Sequence, residues 1–279
     1  RAQRLKIADL LLSQGFNEVL TYSLVSGDLV REAGFKTLPR VSVRNPLSRE
    51  QDALRPHLLP CLLQVAATNL NRGQRDLALF ETGKVYLPGG EQEALGLVLC
   101  GCLRSDWREP KARPFDFYDM KGAVERTLSQ LKLGTAFFSA GSQPFFEDGQ
   151  QADVAVGKMP LGSLGKVSSD VLDRFGIKAD NVFFAQLDLG KIYRLPKKPV
   201  RYISAGEFPS ITRDVSIAVD GKVAFDTVCG VVREFGGEHL KQIDFKEEYL
   251  GEKIPAGQRG LVFSVIYQSS QRTLTEDEI

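Results

Sequence analysis

Histidine is almost missing from this 279-residue sequence: His57 and His239 are the only two, far apart and without a partner pattern around either. That scarcity excludes catalysis built on a histidine base and a histidine-ligated metal site. Cysteine is nearly as sparse. Cys100 and Cys102 sit two apart, which on a strand points both to one face and is not a zinc-ligand spacing. With Cys61 and Cys229 they read as small buried apolar residues, and a reducing cytosol suits them. No apolar run approaches the ~18 residues of a membrane span, and the first residues do not read as a signal peptide. Nor is there a Ser/His/Asp triad, a phosphate-cradling glycine loop or a spaced pair of catalytic carboxylates. Charge of one sign is scarce too, and a net +1 argues against a broadly basic nucleic-acid binder.

What is present describes an ordinary chain with real cores, 43% hydrophobic and 25% charged, and long enough for about two domains. Its charge is unevenly placed. From Gly206 onward there are eight Lys/Arg against thirteen Asp/Glu, which leaves the remainder basic. An acidic domain cannot hold RNA mainly by attraction for phosphates. Any RNA contact there has to run through a few stacked and hydrogen-bonded bases.

Periodicity and turn residues predict an α+β chain. A helix is expected over 5–14, stopped by Gly15, then a strand over 18–24, a helix over 27–33 and a strand over 41–44. That strand ends at Asn45-Pro46, where proline disfavours helix at the preceding residue. Residues 56–71 carry Leu58, Leu59, Leu62, Leu63, Val65 and Ala66, enough for a buried helical face, with Pro60 in the first turn. Strands are expected over 77–87 and 94–103 about a tight turn at Pro88, a loop over 107–118 and a helix over 120–131. Strands over 152–157 and 161–167, a helix over 169–175 and a strand over 182–189 complete the domain. Residues 191–205, rich in proline and basic side chains, read as a linker. Beyond it come a strand (214–219), a helix (225–235) and strands over 240–249 and 260–268, most of a ferredoxin-like split βαβ unit. Thr275 to Glu278 then spells a new helix start. The expectation is a unit truncated at its C-terminus, with one unpaired sheet edge and one poorly covered face.

Several stretches carry a sharper signal. Phe208 to Asp220 (Phe-Pro-Ser-Ile-Thr-Arg-Asp-Val-Ser-Ile-Ala-Val-Asp) and Phe245 to Gly251 resemble the anticodon-binding domain that ends bacterial phenylalanyl-tRNA synthetase β subunits. Asn45-Pro46-Leu47-Ser48, Leu54-Arg55, Leu58 to Leu63 and Leu79-Phe80-Glu81-Thr82-Gly83 resemble the catalytic-like domain of that family. The resemblance implies an antiparallel class II synthetase-like sheet with flanking helices over 1–190, a linker over 191–205, and a truncated ferredoxin-like (βαββ) anticodon-binding domain over 206–279.

Class II synthetases grip ATP with two arginines on their sheet, because a planar guanidinium holds phosphate in two places and keeps its charge. The strand matching the first of these positions has Glu81 after Phe80, and the region matching the second, Ala185 to Tyr193, has no arginine. The sheet therefore resembles a synthetase sheet whose active site has been removed, with Lys84 and Lys191 read as solvated surface lysines. The resemblance implies no catalytic residue, metal or cofactor in this chain, ATP and Mg2+ being used by the α subunit of the complex. It marks Pro46, Leu58, Leu59 and Phe80 as candidate subunit contacts, the leucines equally well as core, and Arg55 as an ion-pairing residue. Histidine patterns usual in the family are replaced here over 144–149 and 165–169. In the tail, Tyr249 would stack on an anticodon base, Glu247 would accept from a guanine edge, and Arg213 and Arg259 would contact phosphate; Gly260 stands where the family has serine. The implied role is a portion of a cytoplasmic (αβ)2 phenylalanine–tRNA ligase. It would support tRNA(Phe) aminoacylation by the α subunit through subunit packing and anticodon-stem binding, without membrane contact. The alternative is an assembly scaffold for the α subunit that does not read RNA.

Overall fold

The computed structural model describes residues 2–35, 37–103, 112–199, 202, 207–250, 254–255, 257–275 and 278. Contacts divide it into two compact units, Arg1–Val200 and Arg201–Ile279.

In the first unit α1 (Ala2–Ser13), β1 (Asn17–Glu18), β2 (Leu24–Val25), α2 (Gly27–Glu32), β3 (Val41–Ser42) and β4 (Ala53–Leu54) precede α3 (Leu59–Asn71). Then come the long hairpin β5 (Leu77–Leu87) and β6 (Gly90–Cys100), α4 (Phe117–Gln130), β7 (Ala136–Ala140), β8 (Phe146–Val156), β9 (Met159–Val167), α5 (Ser169–Arg174), β10 (Val182–Asp188) and α6 (Leu189–Arg194). Seven strands form one sheet in the order β1-β5-β6-β10-β9-β8-β7, antiparallel except where β1 meets β5, and β2-β4-β3 form a small sheet. Alternation along β5 sends Phe80 to one face and Leu77, Leu79 and Val85 to the other. The first face packs Ile7 and Leu11 of α1, Met120 and Leu128 of α4, and Leu189 and Ile192 of α6. The second packs Leu58, Leu59, Leu62 and Leu63 of the α3 start with Val171 and Leu172 of α5. Each such leucine contributes about 1.5–3 kcal/mol on burial.

Local chemistry sets the helix ends. Asp116 caps α4 by accepting from the Asp119 amide at 3.0 Å, while the Asp119 carboxylate accepts from the Asp116 amide at 2.8 Å. Pro60 sits in the first turn of α3, as its missing N–H allows. The expected strand over 18–24 is instead two short pieces, β1 and β2. Their separation turns Thr21 toward Glu81. Several elements were not foreseen, among them β4, the middle strand of the small sheet. β7 forms an edge strand, and α6 occupies the start of the expected linker because Asp188 caps it through the Lys191 amide. Residues 104–111, which include the start of the loop expected over 107–118, lie outside the described residues.

In the second unit β11 (Ile211–Asp220), α7 (Phe225–Phe235), β12 (Leu240–Tyr249) and β13 (Gln258–Tyr267) form a three-stranded antiparallel sheet ordered β11-β13-β12, with α7 on one face. Val228 of α7 packs on Leu261, Phe263 and Val265 of the central strand. Phe225 meets Phe263 and Phe245 edge-on, yet Phe245, Val231 and Phe235 retain large exposed areas on this face. The outer edges of β11 and β12 have no strand partner among the described residues. Thr275 and Glu278 are joined as a helix start requires, the carboxylate accepting from the Thr275 amide at 2.9 Å.

Candidate functional site

The sheet of the first unit carries one polar row across its centre. Glu81 on β5 stands opposite Gly96 on β6, which stands opposite Gln186 on β10. Glu81 and Gln186 lie in the two segments where the resemblance led to the expectation that nucleotide-gripping arginines are missing. The row is closed instead. Arg55, 3% exposed, reaches in from the chain before α3 and pairs with Glu81 at 2.7 Å. Its Nε donates to the Lys84 carbonyl at 2.8 Å and its Nη1 to the Thr21 hydroxyl at 2.6 Å, while that hydroxyl lies 2.7 Å from the other Glu81 oxygen. Gly83 leaves the space for this guanidinium, since a Cβ there would strike Nη2. Gln186 accepts from the Leu58 amide at 2.8 Å, and Leu58 and Leu62 press onto Gly96, where a Cβ would lie 2.7 Å from Leu62 Cδ1. The floor is thus filled by leucine and its only guanidinium among the described residues is spent on a carboxylate. A triphosphate does not fit it. Neither lysine substitutes: Lys84 alternates to the other face and pairs with Glu91, which raises its pKa, and Lys191 lies 3.8 Å from Asp188.

His57 stands beside this row, its ring 4.7 Å from that of Phe35 and 5.5 Å from those of Phe145 and Phe184. Desolvation there drives its pKa down to about 3, so it is neutral, and its Nδ1 accepts from the Leu59 amide at 3.2 Å. No group of three metal-ligating side chains occurs among the described residues. The cysteines are all free, with Cys61, Cys100 and Cys229 buried.

The candidate subunit contacts divide. Leu58, Leu59 and Phe80 are wholly inaccessible: for the two leucines the core alternative is the one seen, and Phe80 likewise fills this unit's own core where a subunit contact was expected. Pro46 is exposed, and its neighbour Leu47 is 99% exposed. Leu20 and Tyr22, 78% and 80% exposed, were not singled out from the sequence. Short segments between elements carry no periodicity that would reveal which apolar residues face water.

The five tail residues also divide, because directly paired residues of antiparallel strands share a face. Arg213 pairs with Val265 and Arg259 with Val219, which places both on the α7 face. Arg259 is committed there, to Glu248 at 2.9 Å and to the Val223 carbonyl at 2.7 Å. Glu247 pairs with Val262 and Tyr249 with Gly260, on the opposite face, which carries no helix among the described residues. Arg213 and Arg259 therefore lie on the opposite face of the sheet from Glu247 and Tyr249. A bulge between Phe245 and Glu247 is the cause: an extra residue on β12 shifts the register and turns Glu247 and Tyr249 away from the core. On that open face Tyr249 OH lies 3.1 Å from the Ser216 hydroxyl, and Ser264 donates to Asp214 at 2.5 Å. Gly251, which ends the Tyr249-Leu-Gly motif, lies outside the described residues.

Comparison with known proteins gives the following. Residues 1–189 match the family model described as phenylalanyl tRNA synthetase beta chain CLM domain, and residues 206–279 match the ferredoxin-fold anticodon binding domain. The phenylalanine–tRNA ligase beta subunit of Symbiobacterium thermophilum is 34% identical over 96% of this chain and 31% of that protein. Its counterpart in Geobacter sulfurreducens is 35% identical over 97% of this chain and 35% of that protein. The chain thus spans about a third of the length of these relatives. A solved pyrrolysyl-tRNA synthetase from Desulfitobacterium hafniense superposes with a TM-score of 0.54 at 18% identity over 68% of this chain and 64% of that one, which shows a shared fold.

Proposed function

Because the chain belongs to the phenylalanyl-tRNA synthetase β-chain family, we propose that it is a non-catalytic portion of a phenylalanine–tRNA ligase β subunit. The first unit packs within the complex, and the second holds the anticodon stem of tRNA(Phe). The α subunit of a cytoplasmic (αβ)2 assembly supplies amino-acid activation with ATP and Mg2+. Pro46, Leu47, Leu20 and Tyr22 are among the exposed apolar side chains available for subunit packing. The observation that carries the RNA role is the Tyr249 ring on the face opposite α7, in a unit whose sequence matches an anticodon-binding family. An acidic unit gains little from phosphate attraction, so recognition rests on stacking and on the Glu247 carboxylate accepting from a base edge.

Hydroxyl-radical footprinting of tRNA(Phe) on the intact ligase tests this. Protection of the anticodon stem-loop is expected with the natural β subunit and is expected to fade with Tyr249→Ala. Unprotected anticodon nucleotides in the natural complex would favour the scaffold reading, which the inward commitment of Arg259 makes the specific alternative.

A further inference from the structure

The two edges of the seven-stranded sheet differ. β1 at one end is two residues long and carries Glu18, so it offers little to a further strand. β7 at the other end is an ordinary strand of five residues, Ala136-Phe137-Phe138-Ser139-Ala140, with no charge and no proline. It pairs with β8 without a register shift, and its outward row of amides and carbonyls has no backbone partner among the described residues. Phe137 on this strand is 50% exposed. Such a regular, uncharged edge is a template for one more strand.

A cleft of about 400 Å3 opens at the N-terminal end of β7, lined by Ser129, Lys132, Thr135, Ala136 and Lys198 among others. Two exposed lysines are brought to it by the backbone. Lys132 follows α4 in the left-handed region, with φ of 62°, and its carbonyl accepts from the Lys198 amide at 2.7 Å, which ties the segment after α6 to this turn. Gly134 leaves room for the Lys198 side chain, since a Cβ there would lie 3.0 Å from its Cε. Glu125, the carboxylate lining the cleft, is already held by Lys121 at 2.6 Å. Lys132 and Lys198 have no carboxylate partner among the described residues.

We propose that the β7 edge is a docking site for an extended acidic segment of another protein chain, which adds a strand beyond β7 and sets a carboxylate against Lys132 and Lys198. Charge selects this occupant over a second copy of the chain. Two copies paired antiparallel along β7 would bring Ser139, Ala140 and Gly141 to the lysines, and two paired in parallel would bring lysine to lysine; neither supplies a carboxylate. Main-chain bonds along the edge give the binding, and the two lysines choose the sign of the partner.

Amide hydrogen exchange of the full chain, with and without a short peptide of alternating glutamate and valine, tests the proposal. The amides of 136–140 are expected to exchange more slowly with the peptide present, and binding of a fluorescent form of it is expected to saturate at millimolar concentration or below. Lys132→Gln with Lys198→Gln, which leaves the backbone bond between these residues in place, is expected to weaken binding about 2- to 30-fold, the range of two exposed ion pairs. A version of the peptide methylated on its backbone nitrogens keeps the charge but cannot donate to the edge, and it is expected not to protect 136–140. Unchanged exchange over 136–140, or equal binding of the methylated peptide, would overturn the edge pairing. Equal binding of a lysine–valine peptide, equal protection by a uridine oligonucleotide, or protection of β7 in a dimer of the chain alone would overturn the acidic occupant.

Discussion

Replacing Glu81 by alanine is the sharpest perturbation of the filled sheet floor. The carboxylate and Arg55 are 2% and 3% exposed at their side chains, so neither is screened by water. In Glu81→Ala the guanidinium keeps its bonds to the Lys84 carbonyl and the Thr21 hydroxyl, but its charge has no counter-ion and cannot be lost by deprotonation. Breaking a buried pair in this way costs about 3–5 kcal/mol. For a unit of this size each kcal/mol lowers the melting temperature by about 2–4 °C, so a fall of roughly 6–20 °C is expected. The double replacement Arg55→Met with Glu81→Leu removes both charges, and it should recover most of the loss, since an apolar pair of similar volume is often neutral or better. Urea and thermal unfolding followed by circular dichroism give both numbers. A Glu81→Ala protein within about 1 kcal/mol of the natural chain would refute the claim that the pair closes the floor.

Three further outcomes follow from the same geometry. His57, neutral in the folded chain with a pKa near 3 against about 6.5 unfolded, contributes stability that is complete above pH 6.5 and lost as pH falls toward 3, at up to about 1.4 kcal/mol per pH unit; His57→Asn keeps an acceptor for the Leu59 amide and should flatten the acid limb of stability, an unchanged limb counting against burial as the cause. Calorimetric titration of the chain with Mg-ATP should release no heat, and a saturable isotherm would contradict the account of Glu81, Gln186 and Gly96. Tyr22→Asp should reduce recovery of the α subunit with the β subunit while leaving the unfolding midpoint of the chain unchanged; full recovery would remove Tyr22 from the packing surface.

The sequence reveals most of the architecture because long elements with strong patterns report their own burial. The leucines of 58–63 and the alternation through Phe80 announce α3 and β5 at once. It fails where burial depends on the partner. Nothing local distinguishes Leu58 in a core from Leu58 at an interface, and β7 is five residues with no turn pattern of its own. The tail shows the limit most clearly. Simple alternation from Ile243 and Phe245, both on the α7 face, would put Glu247 and Tyr249 there too, and one bulged residue reverses both. That β5 offers a carboxylate where an arginine would stand was readable from Glu81; that Arg55 would reach in to neutralise it needed the third dimension.

The measurement bearing most directly on the central claim is the KM for tRNA(Phe) of the intact ligase carrying Tyr249→Ala. Loss of one stacked base predicts a rise of about 5- to 150-fold with the unfolding midpoint preserved. A KM equal to that of the natural enzyme would mean that no base rests on this ring.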